Sequence, residues 1–423
     1  MRPIFLSGFL IICSFAHAQV LPAISESEVS RIEKILAADE MQGRQVFTPG
    51  IEKAAIFITN EFKEAGLKPL PGTTDYLQKF VMVDPGSAEL TATLDGMDIE
   101  KKNVVAFSAD SSLTVTPGDN YRKIVVKNQN DFTHIVLSYF ESDQNVLILV
   151  DTSLGKRFVR LANFHMPQFE GSGNRIFILT TIDPKQYQIR LTQTIKRESL
   201  TNLVGIIPGK SKPGEYVIFS AHYDHLGVGK PDAAGDSIFN GANDDASGTT
   251  AVVTLAKYFS KLNNNQRTLI FAAFTAEEIG EFGSAFFSRK LDPDKVVAML
   301  NIEMIGTESK WGTNSAYITG YDKTDMGTIL QKNLVNSPFR FYPDPYPGQM
   351  LFLRSDNATL AKKGVPAHTI STSKMDSEKY YHTQGDAVET LDLKNMTEII
   401  RAIGLSAGSI ISGEDTPQRV KPE

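Results

Sequence analysis

With 423 residues, 41% of them hydrophobic and 22% charged, the chain has ordinary globular composition and enough length for more than one domain. A net charge of −6 supplies no basic footprint for nucleic acid and no attraction to an anionic membrane. The single cysteine, Cys13, falls inside an N-terminal targeting pattern, so a disulfide framework and a cysteine nucleophile are both excluded from the processed chain.

Residues 1–18 carry a positive start (Met1-Arg2), an apolar stretch from Pro3 to Phe15 and an Ala16-His17-Ala18 cleavage signal. This predicts a signal peptide and an exported, periplasmic or secreted product. The stretch is shorter than the roughly 20 residues that span a bilayer. Residues 19–84 predict two helices, with Val29, Ile32, Ile35 and Leu36 on one face of the first. The second opens at Thr48-Pro49, runs its apolar face through Ile51, Ala54, Ile58 and Phe62, and closes at Gly66. A strand follows at 76–83.

From 85 to 197 short alternating segments (88–94, 103–106, 123–126, 146–150, 175–179 and 187–194) predict an inserted β-rich domain. It resembles a protease-associated accessory domain in position only. His134 and His165 lie there without partners at metal spacing and read as surface or core histidines. From 198 to 412 strands at 203–207, 217–221, 269–274, 296–300, 316–320 and 367–371 alternate with helices at 249–262, 284–288, 323–333, 357–363 and 393–411. That alternation predicts an α/β fold, a mixed, mostly parallel sheet sandwiched by helices. Residues 413–423 are polar and predict a flexible tail.

Three of the apolar runs end on metal-binding side chains: His222-Tyr223-Asp224, Glu277-Glu278 and Asn301-Ile302-Glu303. Ligands of an open parallel sheet collect beyond the carboxyl ends of its strands. On a strand His222 and Asp224 point the same way, so Asp224 can orient a metal-bound His222. His225 is out of phase with His222 and is not expected to ligate. Asn243-Asp244-Asp245-Ala246-Ser247-Gly248 makes a capping turn, but two adjacent buried acids repel unless a cation neutralises them. Asp244 is expected to bridge two metals, with Asp245 supporting it. Glu277 and Glu278 project differently, so one can ligate while the other takes a proton from activated water. With Glu303 and the loop residue His382 the set offers two nitrogens and three carboxylates, which suits zinc, two per chain.

These segments, together with Arg354-Ser355-Asp356 and Tyr381-His382-Thr383, resemble in order and spacing the secreted co-catalytic zinc aminopeptidases, which share a fold with glutamate carboxypeptidase II. The resemblance covers residues 201–412 and, more weakly, 30–84. It implies a zinc exopeptidase fold, with one zinc on His222, Glu303 and the bridging Asp244, and the other on Glu278 and His382. It further implies Glu277 as general base, Tyr381 as donor to the tetrahedral oxyanion, and a cis peptide between Asp244 and Asp245. One departure stands out: the family usually has aspartate where this chain has Glu303.

The activity implied is aminopeptidase action on peptide substrates, with no nucleic acid partner and no stable membrane insertion. The alternatives are a glutaminyl-cyclase-like acyltransferase with one zinc, a non-catalytic binding module that has lost ligands and base, and a carboxypeptidase. The last needs a cationic grip on the substrate carboxylate, for which Arg354 and Lys374 are the candidates. The aromatic loop Phe341-Tyr342-Pro343-Asp344-Pro345-Tyr346-Pro347 either rims a side-chain pocket or packs as a surface loop.

Overall fold

A computed structural model describes residues 23–140, 143–164 and 166–421. The expected signal peptide with Cys13, His165 and the side chain of His134 lie outside the described residues. In chain order the elements that matter here are α1 (Glu26–Leu36), α2 (Pro49–Glu64), β1 (Leu77–Leu94), β2 (Val104–Phe107), β3 (Arg122–Val126), α3 (Gln129–Phe140), β4 (Val146–Val150), α4 (Gly155–Ala162), β5 (Arg175–Leu179) and β6 (Tyr187–Ile207). Then follow β7 (Lys212–His222), α5 (Ser247–Leu262), β8 (Arg267–Phe274), α6 (Phe282–Lys290), β9 (Val296–Ile302), β10 (Ser315–Ile318), α7 (Met326–Asn333), β11 (Arg340–Pro343), α8 (Asn357–Ala361), β12 (Ala367–Ser371) and α9 (Leu393–Ser406).

The main sheet runs β11-β10-β12-β9-β7-β8-β6-β1. Its centre, β12-β9-β7-β8, is parallel, while β6 joins β8 and β10 joins β12 antiparallel. Alternation along β7 explains the layers. Val217, Phe219 and Ala221 face a core shared with α1, α2, α5, α7 and α9, and Ile218 faces one shared with α6 and α8. Both faces are covered, so β8 is buried along its whole length and reads as the continuous apolar run a two-sided parallel strand requires. The fold is the expected mixed α/β sandwich.

The insert differs from expectation in two ways. It contains helices: α3 and α4 pack on a separate sheet, β2-β5-β4-β3, through Phe132, Phe158 and Leu161. The sequence also does not break at 85 or 197. β1 and β6 are single long strands paired from Leu77–Leu203 out to Leu94–Tyr187, and the ladder slips only between Gln193 and Ile195, opposite Pro85. Proline donates no ladder hydrogen bond, and an irregularity is where a strand tolerates it. The tail expected to be flexible is held through residue 421. Arg267 binds the carbonyl of Asp415, Arg419 binds the carbonyls of Pro293 and Val296, and the Val420 amide binds Gly364.

Candidate active site

The carboxyl ends of β7, β8 and β9 deliver the chemistry. His222 is the last residue of β7. Glu277 and Glu278 follow β8 by a short turn, and Glu303 stands directly after β9. Asp244 sits in the irregular turn that opens α5 and is joined to Asp245 by a cis peptide bond. His382 arrives on the loop before α9. Three non-glycine residues beside these groups have left-handed backbone: Ala276 (φ +60°), Met304 (φ +50°) and His382 (φ +57°). Such conformations persist where surrounding structure over-determines them, and they gather at functional sites.

The two carboxylate oxygens of Asp244 face two different sets of candidate ligands. Oδ1 lies 3.3 Å from His222 Nε2, which is 3.6 Å from Glu303 Oε1. Oδ2 lies 3.2 Å from His382 Nε2, which is 3.2 Å from Glu278 Oε2. Although close, neither histidine nitrogen has a hydrogen-bond partner. A buried nitrogen aimed at carboxylates without a hydrogen bond is what a ligand to a shared cation looks like. The five expected ligands are thus brought together.

Charge balance points the same way. Burial disfavours a charged His222, yet Glu277, Asp244 and Glu303 raise its pKa well above the ordinary value. The carboxylates of Asp244 and Glu278 beside it push His382 up to about 10, against burial. Glu277 is raised chiefly by burial, with Glu303, Asp356 and Glu278 adding repulsion. Burial opposes ionisation of Glu278, but His225 and His382 outweigh it and hold its carboxyl below the usual range. The cluster attracts positive charge, and the donor set of imidazoles and carboxylates fits zinc.

The supporting residues are partly as expected. Asp245 accepts hydrogen bonds from the amides of Gly248 (3.0 Å) and Met304 (3.0 Å), tying the α5 turn to the end of β9. Asp224 acts differently from the strand reading. His222 Nδ1 meets the main-chain carbonyl of Asp224 at 3.1 Å, while the Asp224 carboxylate takes the amides of Glu277 (3.1 Å) and Glu278 (3.4 Å). β7 ends at His222, so the two-residue repeat no longer governs Asp224 or His225.

Other contributors carried no assigned role in the sequence. The Asp386 carboxylate accepts from the amides of Asn243 (2.7 Å) and Asp244 (3.0 Å), and Ser355 donates to Glu303. Ser355 lies within a motif segment and Asp386 three residues after one, which was the available signal. Arg44, fully buried, binds the carbonyls of Leu36, Tyr223, Asn240 and Gly241. It holds the His222 and Asp244 segments against each other.

Tyr381 stacks on His382 (3.9 Å between rings, 20°) at the mouth, and burial together with nearby carboxylates keeps its hydroxyl protonated. Beside Glu303 a cavity of about 50 Å³ is lined by Met304, Tyr317, Leu351, Arg354, Met375 and Tyr381. Tyr346 of the aromatic loop packs behind Tyr317, whereas Tyr342 stacks on Trp311. Of the two cations considered for a carboxylate grip, Arg354 contacts Gln349 and Lys374 pairs with Glu308.

Known proteins are similar to this chain in part of its sequence and in fold. A "Probable leucine aminopeptidase 2" of Trichophyton verrucosum is 28% identical over 229 residues, covering 47% of this chain and 43% of that protein. "Leucine aminopeptidase 1" of Blastomyces gilchristii is 30% identical over 214 residues, covering 47% and 52%. The chain therefore spans about half, or less, of the length of these curated relatives. Among solved structures, a zinc aminopeptidase from Bacillus subtilis aligns with TM-score 0.56 at 17% identity, covering 94% of this chain and 98% of that one. An aminopeptidase from Aneurinibacillus sp. strain AM-1 gives TM-score 0.54 at 17% identity, covering 95% and 96%. Residues 202–406 match the family model described as "Peptidase family M28". Over that segment, about half of its length, the chain is similar to peptidase family M28, and its fold is similar to that of the Bacillus subtilis zinc aminopeptidase.

Proposed function

We propose that the protein is an exported di-zinc aminopeptidase. The observation that carries this reading is Asp244, whose two oxygens face two separate histidine–carboxylate sets. His222, Glu303 and Asp244 would hold one zinc, and Glu278, His382 and Asp244 the other. When bound, the pair supplies Lewis-acid polarisation of the scissile carbonyl and a lowered pKa for the attacking water.

The chain's own residues do the rest. Glu277, with its pKa raised, accepts the water's proton and passes it to the leaving amine. The Tyr381 hydroxyl donates to the oxyanion as it forms. Buried acidity at Glu277, Glu303 and Asp356 favours the substrate's α-amine over a carboxylate, which supports an aminopeptidase over a carboxypeptidase. Among the described residues no helix is long and apolar enough to cross a membrane.

The test is the zinc content of the purified protein beside hydrolysis of leucine-anilide and other aminoacyl-anilides, for wild type and Glu277→Gln. Two zincs per chain, with turnover falling about 10²–10⁴-fold in a variant that keeps its metal, is the expected result. One zinc or none, with no turnover, would overturn the reading and move weight to a glutaminyl-cyclase-like enzyme or a binding protein.

A further inference from the structure

We propose that His225 is a positioning residue of the centre, whose Nδ1–H ties down Glu278 Oε1 so that only Oε2 faces the ion shared with Asp244 and His382. The inference rests on the two-zinc reading of the site.

Geometry separates a hydrogen bond from a ligand here. Tetrahedral zinc with bonds of about 2.0–2.1 Å sets its ligand atoms roughly 3.3 Å apart. His382 Nε2 stands 3.2 Å from both Asp244 Oδ2 and Glu278 Oε2, which fits such an edge. His225 Nδ1 stands 2.7 Å from Glu278 Oε1 and 3.9 Å from Asp244 Oδ2. The first is a hydrogen-bond length and the second is too long for an edge. Because an ionised Glu278 can only accept, Nδ1 carries the proton. Nε2, on the other side of the ring, is buried without a hydrogen-bond partner.

The surroundings fix the ring. Gly241 (φ +59°) leaves room for it: a Cβ there would fall 2.5 Å from His225 Cγ and Cδ2. On another side the ring meets His382 edge-on at 5.7 Å. The His225 amide binds the Arg44 carbonyl, and the Arg44 side chain binds the carbonyls of Tyr223 and Gly241. The imidazole therefore cannot follow Glu278 if that carboxylate rotates, and it serves as a fixed stop. A hydrogen-bonded partner behind a ligating carboxylate typically sustains metal affinity by 10–100-fold.

Two polar variants of the full-length protein test this. In His225→Asn an amide N–H takes the place of Nδ1; in His225→Gln the amide sits nearer the place of Nε2. Each is loaded with zinc or cobalt(II), then titrated with a chelator while the cobalt visible absorption is followed, with thermal melting to show that the variants are folded. Expected are two ions in wild type, one of which His225→Gln releases about 10–100-fold more readily with an altered cobalt spectrum, while His225→Asn stays close to wild type. Two ions in wild type, with His225→Gln unchanged or His225→Asn losing as much as His225→Gln, would overturn the positioning role alone. A wild type that holds a single ion would overturn the two-zinc reading and this inference with it.

Discussion

Strand β6 passes through two environments. Between Tyr187 and Thr194, in the insert, only Ile189, Leu191 and Gln193 are buried, while Gln188, Arg190, Thr192 and Thr194 face water. Between Asn202 and Ile207, in the main sheet, every residue is buried. The outer half needs one apolar face and the inner half needs two. The difference decides where chemistry can stand. In the insert, charges pair at the surface, as Lys123 does with Asp183 and Arg197 with Glu170. At the ends of the doubly covered strands, carboxylates and imidazoles are withdrawn from water, and each shifts the protonation of the others.

The comparison breaks if the two regions prove to be one energetic unit. Phe271 of β8 lies fully buried and stacked on Phe219 (5.5 Å between rings, 11°). Phe271→Ala should cost about 3–5 kcal/mol. Since β8 carries Glu277 and Glu278, zinc retention should fall as well. Ile189, fully buried in the insert's own cluster, should cost about 2–5 kcal/mol as Ile189→Ala. Its loss should appear as an early unfolding step in denaturant, with zinc content and anilide hydrolysis unchanged. Equal loss of metal and turnover in both variants would mean that the insert and the sheet do not unfold separately.

The same contrast explains what the sequence made legible. Runs such as Thr268–Phe274 could be read because two-sided burial forces a continuous apolar string, and the residue that ends the string is conspicuous. Glu277, Glu278 and Glu303 were visible for that reason. Strand phase counts against His225 only while the strand lasts, and β7 ends at His222. Arg44 was hidden because all its partners are main-chain carbonyls, which leave no pattern of side chains. In the insert, α3 was overlooked although Phe132, Ile135, Val136 and Tyr139 stand at helical spacing and pack together. Their aromatic and β-branched character resembled the strands around them. The change to short alternating segments at 85 coincides with Pro85-Gly86, which here mark a ladder irregularity within one strand.

A second histidine sharpens the comparison inside the parallel sheet. His368 of β12 is as buried as His222 but has no carboxylate in contact. Nδ1 donates to the Thr319 carbonyl and Nε2 accepts from Thr324. Burial lowers its pKa to about 4, against the upward pull of the Thr319 carbonyl and the charge of Asp322. A depressed histidine pKa contributes stability that is present above the unfolded value near 6.5 and is lost as pH falls towards 4. At about 1.4 kcal/mol per pKa unit, the contribution is at most roughly 3.5 kcal/mol. His368→Gln should remove this slope, so the stability difference between wild type and variant should change between pH 6.5 and 4 and stay flat above pH 7, as followed by denaturant melts. A difference that is flat throughout would mean that His368 is not held neutral.

The finest test stays on β6 itself. Gly205, in the inner half, has Leu67 Cδ1 only 2.6 Å from where a Cβ would stand, and Phe62 at 3.4 Å. Gly205→Ala should therefore overpack the sheet against α2 and cost about 1–3 kcal/mol. Arg190, in the outer half, is exposed and lies between Thr91 and Thr114 on the flanking strands. Arg190→Thr adds a residue suited to strands, removes no core contact, and should change stability by no more than about 0.5 kcal/mol. Melting curves of the two variants place both numbers on one scale. A large loss at Arg190 would show that the outer face of the ribbon is covered in the folded protein, and the difference between the halves of β6 would then lie in what covers each face rather than in exposure to water.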